Sequence, residues 1–578
     1  MKKYKDFIAA YPDQPYKNFI DWLLGIEAKA GDKSAILYRT DGNKDFTRWS
    51  FTHLKNECQR IGRGLLAGGL QKGDRVALWC ENRPEWMAAW LGAAIAGLII
   101  VPVDFLASEN ECANILKITG AKAFFYSSRK QSFADSLTGQ GIKIPVLVCV
   151  DKDSANNFHD FGKTCSSQTL PAAGDVSEND PVSIVFTSGT TGFAKGVTLS
   201  HKAIIANASA AICSLRPLDT DVFINVLPLH HTYPTTCSFI APLTAGVTTI
   251  IVEKLVGKVV IDDIRDGNGT FLIAVPLLYD KIMVAIDNGF KALSPVVRGI
   301  LGVFRAISLS LAKKGKPGFG RTFFRFARRR ANLATINIMV AGGGPLNPKT
   351  ADFFDSFGFN IVHCYGMSEN APLVSVSTPW HKNNVSVGQP VKYTDIKILD
   401  PDRTGTGEIL VKSPSLMLGY FENPEATAQA FTHDGWLKTG DLGFQDKKGF
   451  LYINGRGKNL IVSSGGKNIY PEEIEALFNG SRVIAEILVL GRKEKKFGGE
   501  QIFAVAVPDF ETLAADFPDK AKDEAFIYAL VKKEIEKANR SLAGYKKITG
   551  FVIRNEAFEK NAQQKIRRFM YKSYEDAD

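Results

Sequence analysis

A loop rich in hydroxyls and glycine follows the apolar run from Val182 to Phe186, which is typical of a buried strand. Glycines let backbone N–H groups approach an anion closely, hydroxyls add donors, and a lysine supplies positive charge. Gly196 follows the lysine where the P-loop of NTPases has Ser or Thr, so this loop is of another kind. A flexible surface loop is the alternative. The residues predicted to bind a polyphosphate are Thr187, Ser188, Gly189, Thr190, Thr191, Gly192 and Lys195.

Seven further motifs follow this loop along the chain. They are Leu-Pro-Leu-His-His (227–231), Gly-Gly-Gly-Pro-Leu (342–346), Tyr-Gly-Met-Ser-Glu (365–369), Gly-Trp-Leu-Lys-Thr-Gly-Asp (435–441), Gly-Arg-Gly-Lys-Asn-Leu-Ile (455–461), Gly-Gly-Lys-Asn-Ile-Tyr-Pro (465–471) and Gln-Lys-Ile-Arg-Arg (564–568). In this order, over residues 180–568, they resemble the adenylate-forming (AMP-binding) superfamily. The resemblance is strongest to bacterial long-chain fatty-acid–CoA ligases. It implies an enzyme that uses ATP, Mg²⁺ and CoA.

The resemblance assigns the nucleoside of ATP to residues whose chemistry suits it. Tyr365 offers an aromatic face for the adenine. Glycine at 342–344 and at 366 lets the backbone close on the base. Asp441 is suited to accept protons from two ribose hydroxyls, and Arg456 can support the ribose or a phosphate. The glycines concerned are Gly342, Gly343, Gly344 and Gly366.

The same resemblance implies three roles in the chemistry of the phosphates. Glu369 is a hard oxygen ligand of the kind that Mg²⁺ prefers. Ser368 can donate to a phosphate oxygen. Lys565 is the expected catalytic cation, which bridges the acid's carboxylate and the α-phosphate during adenylation. Gln564 stands before it where the family has Gly.

The remaining motifs imply sites for the acyl chain, for CoA and for a hinge. His231 and Tyr233 match positions that line or gate the acyl pocket, although a histidine packed in the core is an equal alternative for His231. Gly465 and Gly466 could admit the pantetheine arm of CoA. Lys458 takes the hinge position, which in the family is usually Asp or Lys.

Composition sets the size and class of the protein. The chain has 578 residues, 45% of them hydrophobic, which is ample for a large core and predicts two or more domains. Its eight cysteines are scattered and contain no Cys-x-x-Cys pair, which fits a reducing cytoplasm. Its eight histidines show no metal-ligand spacing. The first residues lack the apolar core of a signal peptide.

Alternating apolar strands and amphipathic helices predict a layered α/β fold. The uncharged stretch from Met87 to Val103 is short for a membrane span and is predicted to form a buried helix (84–96) followed by a buried strand (98–103). Other predicted strands are 76–80, 123–126, 145–150, 222–227, 248–252, 270–274 and 336–340.

A boundary is predicted near the two glycines that flank Arg456. Downstream lie about 120 residues with strand signals at 485–490, 502–507 and 550–553 and a helix signal at 525–538, enough for a small α+β domain. We therefore predict a large N-terminal α/β domain (1–457) that binds AMP and the acyl substrate. A small, mobile C-terminal α+β domain (458–578) would carry the catalytic lysine.

Positive charge is concentrated in one segment. Residues 288–351 contain twelve Lys or Arg and no Asp or Glu, so the rest of the chain would sit near −1 against the total of +11. Eight of these cations fall between Lys313 and Arg330, interleaved with phenylalanines, a pattern that suits an anionic membrane surface. The alternative is a solvated basic face. We expect a cytoplasmic protein in peripheral contact with membrane through residues 298–330, and no nucleic-acid partner.

The combined expectation is a long-chain fatty-acid–CoA ligase that forms an acyl-adenylate and then a thioester. The run from Val275 to Ile282 is similar to one in long-chain acyl-CoA synthetases. An acyl carrier protein could replace CoA as the thiol, and the acid could be medium-chain or aromatic. A peripheral membrane scaffold with an inactive ligase fold is the non-enzymatic alternative.

Overall fold

The computed structural model describes residues 16–40, 43–151, 157–187, 195–462, 468–493, 500–560, 566–571 and 573–576. The first elements are α1 (Phe19–Ala30), β1 (Ser34–Tyr38), β2 (Thr47–Ser50), α2 (Phe51–Ala67), β3 (Arg75–Trp79), α3 (Pro84–Ile95), β4 (Ile99–Pro102), α4 (Glu109–Thr119), β5 (Ala123–Tyr126), α5 (Gln131–Ser136), β6 (Val146–Cys149), β7 (Pro181–Thr187), β8 (Lys195–Ser200) and α6 (His201–Leu215).

The central part of the chain continues the alternation of strands and helices. Its elements are β9 (Val222–Asn225), α7 (the consecutive segments Thr232–Pro234, Thr235–Ile240 and Ala241–Ala245), β10 (Thr248–Ile251), α8 (Gly257–Asp266), β11 (Phe271–Ala274), α9 (Pro276–Lys291), α10 (Pro295–Lys313), α11 (Gly318–Phe323), α12 (Arg325–Arg330), β12 (Ile338–Ala341), α13 (Pro348–Ser356), β13 (Asn360–Gly366), β14 (Leu373–Val376) and β15 (Gln389–Pro390).

The last part contains shorter helices and mostly antiparallel strands. Its elements are β16 (Asp395–Leu399), β17 (Gly407–Lys412), β18 (Gly419–Tyr420), α14 (Pro424–Ala430), β19 (Leu437–Gln445), β20 (Leu451–Arg456), β21 (Ile461–Val462), β22 (Asn468–Ile469), α15 (Pro471–Glu475), β23 (Ile484–Lys493), β24 (Glu500–Pro508), α16 (Phe510–Asp516), α17 (Glu524–Asn539), β25 (Gly550–Ile553) and α18 (Ser573–Asp576). Short 3₁₀ turns include Ser368–Asn370 and Gly457–Asn459.

Five sheets organise these strands. A nine-stranded sheet has the order β15-β14-β13-β12-β11-β9-β10-β1-β2, and a seven-stranded sheet has the order β18-β8-β7-β4-β3-β5-β6. Neighbouring strands from β13 to β1 of the first sheet, and from β7 to β6 of the second, are parallel. The smaller sheets are β16-β17-β19-β20, β21-β22 and β23-β24-β25. The predicted α/β class is confirmed.

Local sequence signals explain where the helices begin. The side chain of Asn18 accepts hydrogen bonds from two backbone N–H groups of the first turn of α1. Ser108 and Glu111 form a capping box at the start of α4. Pro84 occupies the first turn of α3, where its missing N–H costs nothing. Every residue of α3 is buried, as predicted for a core helix rather than a membrane span.

Apolar packing separates the strands after residue 460 from the rest. One large core includes Trp22, Trp86 and Trp90 and spans the two large sheets. The strands β21 to β24 and the helix α17 share a different core, which includes Ile469, Val489 and Val531. This arrangement agrees with a separate C-terminal unit, and the boundary at 457/458 stays a prediction.

Candidate nucleotide and acyl site

The glycine motif at 342–344 lies at the carboxyl end of a parallel strand. It follows β12 directly, beside the end of β13, and such strand ends are the usual place for ligands in α/β sheets. A Cβ added at Gly342 would lie 2.6 Å from the Sγ atom of Cys364 and 2.7 Å from the ring of Tyr233. A Cβ at Gly366 would lie 2.3 Å from the carbonyl oxygen of Pro372. Gly343 has a φ of +83°. Protein atoms therefore approach the backbone closely at Gly342 and Gly366, and the contact of the glycine motif with an adenine base stays a prediction.

Tyr365, Asp441 and Arg456 form one hydrogen-bonded group. The hydroxyl of Tyr365 donates to Oδ2 of Asp441 at 2.6 Å, and the Nε atom of Arg456 lies 2.8 Å from Oδ1. Strand pairing places Asp441 on β19 directly opposite Arg456 on β20. Burial and the neighbouring carboxylate raise the pKa of Tyr365, and the carboxylate raises the pKa of Arg456. Each oxygen of Asp441 keeps a second lone pair, which a ribose hydroxyl could use.

Glu369 contacts the hydroxyl of Tyr420, and Lys195 contacts the face of the same ring. The hydroxyl of Tyr420 donates to Oε1 of Glu369 at 2.9 Å, and the ammonium of Lys195 lies 4.8 Å from the centre of the Tyr420 ring. The antiparallel pair β18–β8 brings Tyr420 opposite Val197, two residues after Lys195. Burial and the charge of Glu369 raise the pKa of Tyr420. Tyr420 belongs to none of the sequence motifs and was therefore not predicted as a site residue.

Glu369 offers a single carboxylate, which matches the usual coordination of Mg²⁺ in proteins. No group of three or more His, Cys, Asp or Glu side chains with metal-site spacing occurs in the described part of the chain. Mg²⁺ is usually held by one or two carboxylates together with substrate phosphates and water. A single carboxylate near the phosphate-loop lysine therefore fits a Mg²⁺ ion that arrives with a nucleotide.

The Leu-Pro-Leu-His-His motif contributes a polar cluster beside Ser368. The hydroxyls of Thr232 and Ser368 lie 3.2 Å apart. The Nε2 atom of His230 lies 3.1 Å from Nε2 of His231 and 3.5 Å from Oδ1 of Asp104. Burial lowers the pKa of His230 and raises the pKa of Asp104, so burial favours the neutral form of both groups. His230 and Asp104 were not predicted as site residues.

A small apolar cavity lies behind Tyr233. Its volume is about 20 Å³, and its walls come from α6, α7 and the ends of neighbouring strands. The partly buried ring of Tyr233 packs against Gly342, and its hydroxyl accepts a hydrogen bond of 3.5 Å from Cys364. The space holds about one water, so an acyl chain could enter only if residues of the wall moved, and the role of Tyr233 as the gate stays a prediction. The lining residues are Ala211, Ile212, Leu215, Pro217, Phe223, Tyr233, Cys237, Ala241, Ile273, Val340, Cys364, Leu373 and Val376.

Several predicted site residues lie outside the described residues: Ser188, Gly189, Thr190, Thr191, Gly192, Gly465, Gly466 and Lys565. The two ends of the phosphate loop are described. Thr187 pairs with Lys195 across the antiparallel strands β7 and β8, and its hydroxyl donates to the Lys195 carbonyl at 3.4 Å. Lys458 lies in the 3₁₀ turn that follows β20. Its hinge role stays a prediction.

One arginine of the basic segment is buried, whereas the composition of the segment suggests an exposed basic surface. Arg328 is buried and donates to the backbone carbonyls of Gly358 and Ile336, with its guanidinium 4.2 Å from the centre of the Phe359 ring. Burial lowers its pKa to about 10. This arginine stabilises the fold and is not available to a membrane, whereas Arg329 and Arg330 are exposed.

Comparison with known proteins supports the predicted relationship. The long-chain-fatty-acid–CoA ligase ACSBG2 of Gallus gallus is 25% identical over 92% of this chain and 76% of that protein. The long-chain-fatty-acid–CoA ligase FadD13 of Mycobacterium tuberculosis is 27% identical over 85% of this chain and 88% of that protein. The medium-chain acyl-CoA ligase ACSF2 of Bos taurus is 28% identical over 81% of this chain and 76% of that protein.

Solved structures share the fold over nearly the whole chain. The anthranilate CoA ligase AuaEII in complex with anthranoyl-AMP has a TM-score of 0.78 at 21% identity and covers 98% of this chain and 99% of its own. MatB of Rhodopseudomonas palustris with bound ATP has a TM-score of 0.75 at 24% identity and covers 97% and 99%. The AMP-binding enzyme family matches residues 26–421, more than half of the chain. This chain therefore belongs to the family of AMP-binding, adenylate-forming enzymes.

Proposed function

We propose that this protein is an AMP-forming ligase that joins a long-chain fatty acid to CoA at the expense of ATP. The observation that carries the proposal is the arrangement of Lys195, Tyr420 and Glu369 in a chain that also has an apolar cavity, whose walls include Tyr233 and Cys364 beside Gly342. Such a site suits an acid with an apolar chain. The charged groups would bind the phosphates of ATP beside the carboxylate, and the apolar space would receive the chain.

The first reaction would join the acid to the nucleotide. A carboxylate oxygen of the acid attacks the α-phosphorus of ATP, and the bond to the bridging oxygen breaks, which releases pyrophosphate and leaves an acyl-adenylate. Lys195 offsets negative charge on the phosphates, and Asp441 holds the ribose. Lys565 would stabilise the charge that develops at the α-phosphate. Mg²⁺, when bound at Glu369, would neutralise phosphate charge.

The second reaction would transfer the acyl group to sulfur. The thiol of CoA, after loss of its proton, attacks the acyl carbonyl, and the bond to the AMP oxygen breaks. Rotation of the C-terminal domain about Lys458 would move Lys565 away from the acyl-adenylate. The same rotation would bring Gly465 and Gly466 to the site, where they would admit the pantetheine arm of CoA. The protein contributes positioning and charge stabilisation.

Two observations support a long-chain acid. Every described residue that lines the cavity is apolar apart from the hydroxyl of Tyr233 and the thiols of Cys237 and Cys364. Relatives at 25% and 27% identity bear the name long-chain-fatty-acid–CoA ligase. A relative named medium-chain acyl-CoA ligase matches equally well, so medium-chain acids are the second candidate. We also propose that the protein acts in the cytoplasm, in peripheral contact with membrane.

ATP–pyrophosphate exchange, measured across acids from acetate to long-chain fatty acids and benzoate, tests the proposal. We expect exchange to rise with chain length, since each buried methylene adds about 0.8 kcal/mol. Thioester formation is then compared with CoA and with acyl carrier protein as the thiol. The Asp441→Asn variant serves as the control for site-dependent exchange. A preference for acetate or benzoate would reject the fatty acid, and no exchange with any acid would leave the scaffold alternative.

A further inference from the structure

The long helix α10 exposes an apolar stripe on the side that faces away from the protein. Val296, Ile300, Val303 and Ile307 are 73%, 54%, 61% and 43% exposed. Their spacing of four, three and four residues places them on one line of an α-helix, roughly 17 Å long at 1.5 Å per residue. Gly299 lies next to the stripe, and a Cβ added there would meet nothing within 4 Å. We call these four residues the α10 outer stripe.

The inner side of α10 is fixed to the protein. Leu301, Ser308 and Ala312 are buried. Arg305 donates to the hydroxyl of Ser356 at 3.1 Å and lies over the rings of α13, and Phe304 stacks on Phe323 with ring centres 4.2 Å apart. The outer stripe is therefore held outward by packing on the opposite side, and the helix presents it without any local rearrangement.

Exposed cations occur in the same part of the chain as the stripe. Lys314 and Lys316 follow α10, and Arg325, Arg329 and Arg330 lie on α12, all exposed. No carboxylate occurs between residues 288 and 351. An apolar strip within a segment of positive charge complements a surface with acyl chains beneath anionic headgroups. A second copy of the same face would bring like charges together.

The helix could in principle cross a bilayer. Among the described residues α10 is the one helix long and apolar enough to do so. It has 19 residues, and a stretch of 18 of them has a mean hydropathy of 1.5 with 17% of its residues buried. A crossing would require α10 to leave α13 and would break the contacts of Phe304 and Arg305. A helix with one side packed on protein and the other side apolar instead lies in the plane of the interface.

The geometry points to α10 as an interfacial anchor: its outer stripe enters the headgroup region of an anionic membrane while the exposed cations of the same segment contact the headgroups. The inference deepens the proposed function, since an acid that dissolves in bilayers would be collected where it resides. Vesicle binding needs no substrate. If the protein binds vesicles but activates no fatty acid, the interfacial anchor is supported and the proposed ligase activity is rejected. If it activates fatty acids but binds no vesicles, the ligase activity is supported and the anchor is rejected.

The first test is co-sedimentation of the full chain with vesicles of equal parts phosphatidylglycerol and phosphatidylcholine. Changing the four stripe residues to Ser should lower the partition coefficient at least about tenfold, because several apolar side chains leave the interface. Serine and valine have similar helix propensities, so the helix should persist. The matched control changes four comparably exposed aliphatic residues elsewhere, Leu218, Leu255, Val256 and Val385, to Ser and should bind as the unchanged protein does.

A second pair of variants tests the cations. Arg325→Gln, Arg329→Gln and Arg330→Gln together should weaken binding to anionic vesicles at least about tenfold, since each cation contributes about fivefold near such a surface. Binding to pure phosphatidylcholine should not change. The control replaces three exposed lysines on the other side of the residue-457 boundary: Lys522→Gln, Lys532→Gln and Lys533→Gln. An equal loss in the control would overturn the specific role of the α12 arginines.

A third measurement does not depend on the stability of a multiple variant. An environment-sensitive fluorophore on Val303→Cys should shift to the blue when anionic vesicles are added, and one on Val385→Cys should not. Labels at positions 296 and 307 should be quenched equally by a lipid-borne quencher if α10 lies flat. Unequal quenching would indicate a span and reject the interfacial anchor. No shift at position 303, or a dimer that the stripe variant abolishes without any vesicle binding, would also overturn it.

Discussion

The hydroxyl of Tyr420 donates a 2.9 Å hydrogen bond to Glu369, while the face of the same ring lies 4.8 Å from the ammonium of Lys195. The tyrosine thus contacts the residue expected to bind Mg²⁺ and the residue expected to bind phosphate. A short antiparallel pair, β18 with β8, places Tyr420 close to the strand that begins at Lys195. We infer that Tyr420 positions both groups.

Tyr420→Phe should raise the Mg²⁺ concentration that gives half-maximal ATP–pyrophosphate exchange by about tenfold. The change removes a hydrogen bond to a charged group, worth about 1.5–3 kcal/mol, and keeps the ring beneath Lys195. Mg²⁺ titration of the exchange reaction measures it. Glu369→Gln serves as the comparison and should have the larger effect. If both variants titrate as the unchanged protein does, Glu369 does not hold the metal.

Lys565→Ala should slow adenylation by at least about 100-fold, the scale for loss of one donor that stabilises transition-state charge. Thioester formation from synthetic acyl-AMP should be largely preserved, because pyrophosphate release is already complete. Single-turnover assays of the two half-reactions separate these effects. Lys547→Ala, an exposed lysine of the same region, is the control. An equal fall in both half-reactions would contradict a role specific to adenylation.

Lys458→Pro should stall thioester formation while adenylation stays near normal. Proline fixes φ, so it would restrict a pivot in the turn after β20. Lys458→Ala removes the side chain but leaves φ unrestricted, and this variant should complete both adenylation and thioester formation. Turnover with CoA and ATP–pyrophosphate exchange are measured on the same preparations. Normal turnover in the proline variant would place the hinge elsewhere.

Gly342→Ala should destabilise the protein by about 1–3 kcal/mol, the usual cost of overpacking a core. The added Cβ would lie under 3 Å from both Cys364 and Tyr233, and the Tyr233 ring is partly buried. Gly289→Ala on α9 is the control, because its Cβ would meet nothing within 4 Å, and alanine there should be neutral or stabilising. Thermal unfolding followed by circular dichroism compares them. Equal midpoints would show that the site accommodates a side chain at position 342.

Stability should fall as the pH drops from about 6.5 toward 4 because of His201. This histidine is buried, and burial lowers its pKa from 6.5 to about 4. The unfolded state therefore binds the extra proton first, and the loss approaches about 3 kcal/mol below pH 4. Asp180 and Lys72 act on the same group in opposite directions.

His201→Asn isolates this contribution. The asparagine oxygen can still accept the hydrogen bond that His201 takes from the backbone N–H of Phe19, at 3.3 Å. The difference in unfolding midpoint between the two proteins should change over pH 6.5–4 and stay constant above it. A constant difference throughout would mean that His201 titrates normally in the folded state.

The strands and the motif-bearing loops could be predicted because their signals are local. The helix from Pro84 and the strand Ala123–Tyr126 follow from continuous apolar runs. The proximity of Asp441 and Arg456 could be expected only through the family motifs, since it depends on the antiparallel register of β19 and β20.

Contacts between distant segments were not predictable from the sequence. Tyr420 is 51 residues from Glu369 and lies outside every motif. Asp104 lies 3.5 Å from His230, and although His230 belongs to the Leu-Pro-Leu-His-His motif, no local pattern marks Asp104 as its partner. Composition likewise could not distinguish the buried Arg328 from its exposed neighbours, because the inward direction of one arginine depends on the packing of α12 against Phe359.

The enclosure behind Tyr233 has a consequence for short acids. A cavity of about 20 Å³ cannot take even a few methylenes, so if Tyr233 is the predicted gate, room for a chain requires displacement of its partly buried ring. That displacement carries a fixed free-energy cost, whereas the gain grows by about 0.8 kcal/mol with each methylene that enters. Acids below a threshold length would therefore fail to open the pocket at all. Selectivity against abundant short acids would arise from this threshold, and a smaller residue at position 233 would lower it.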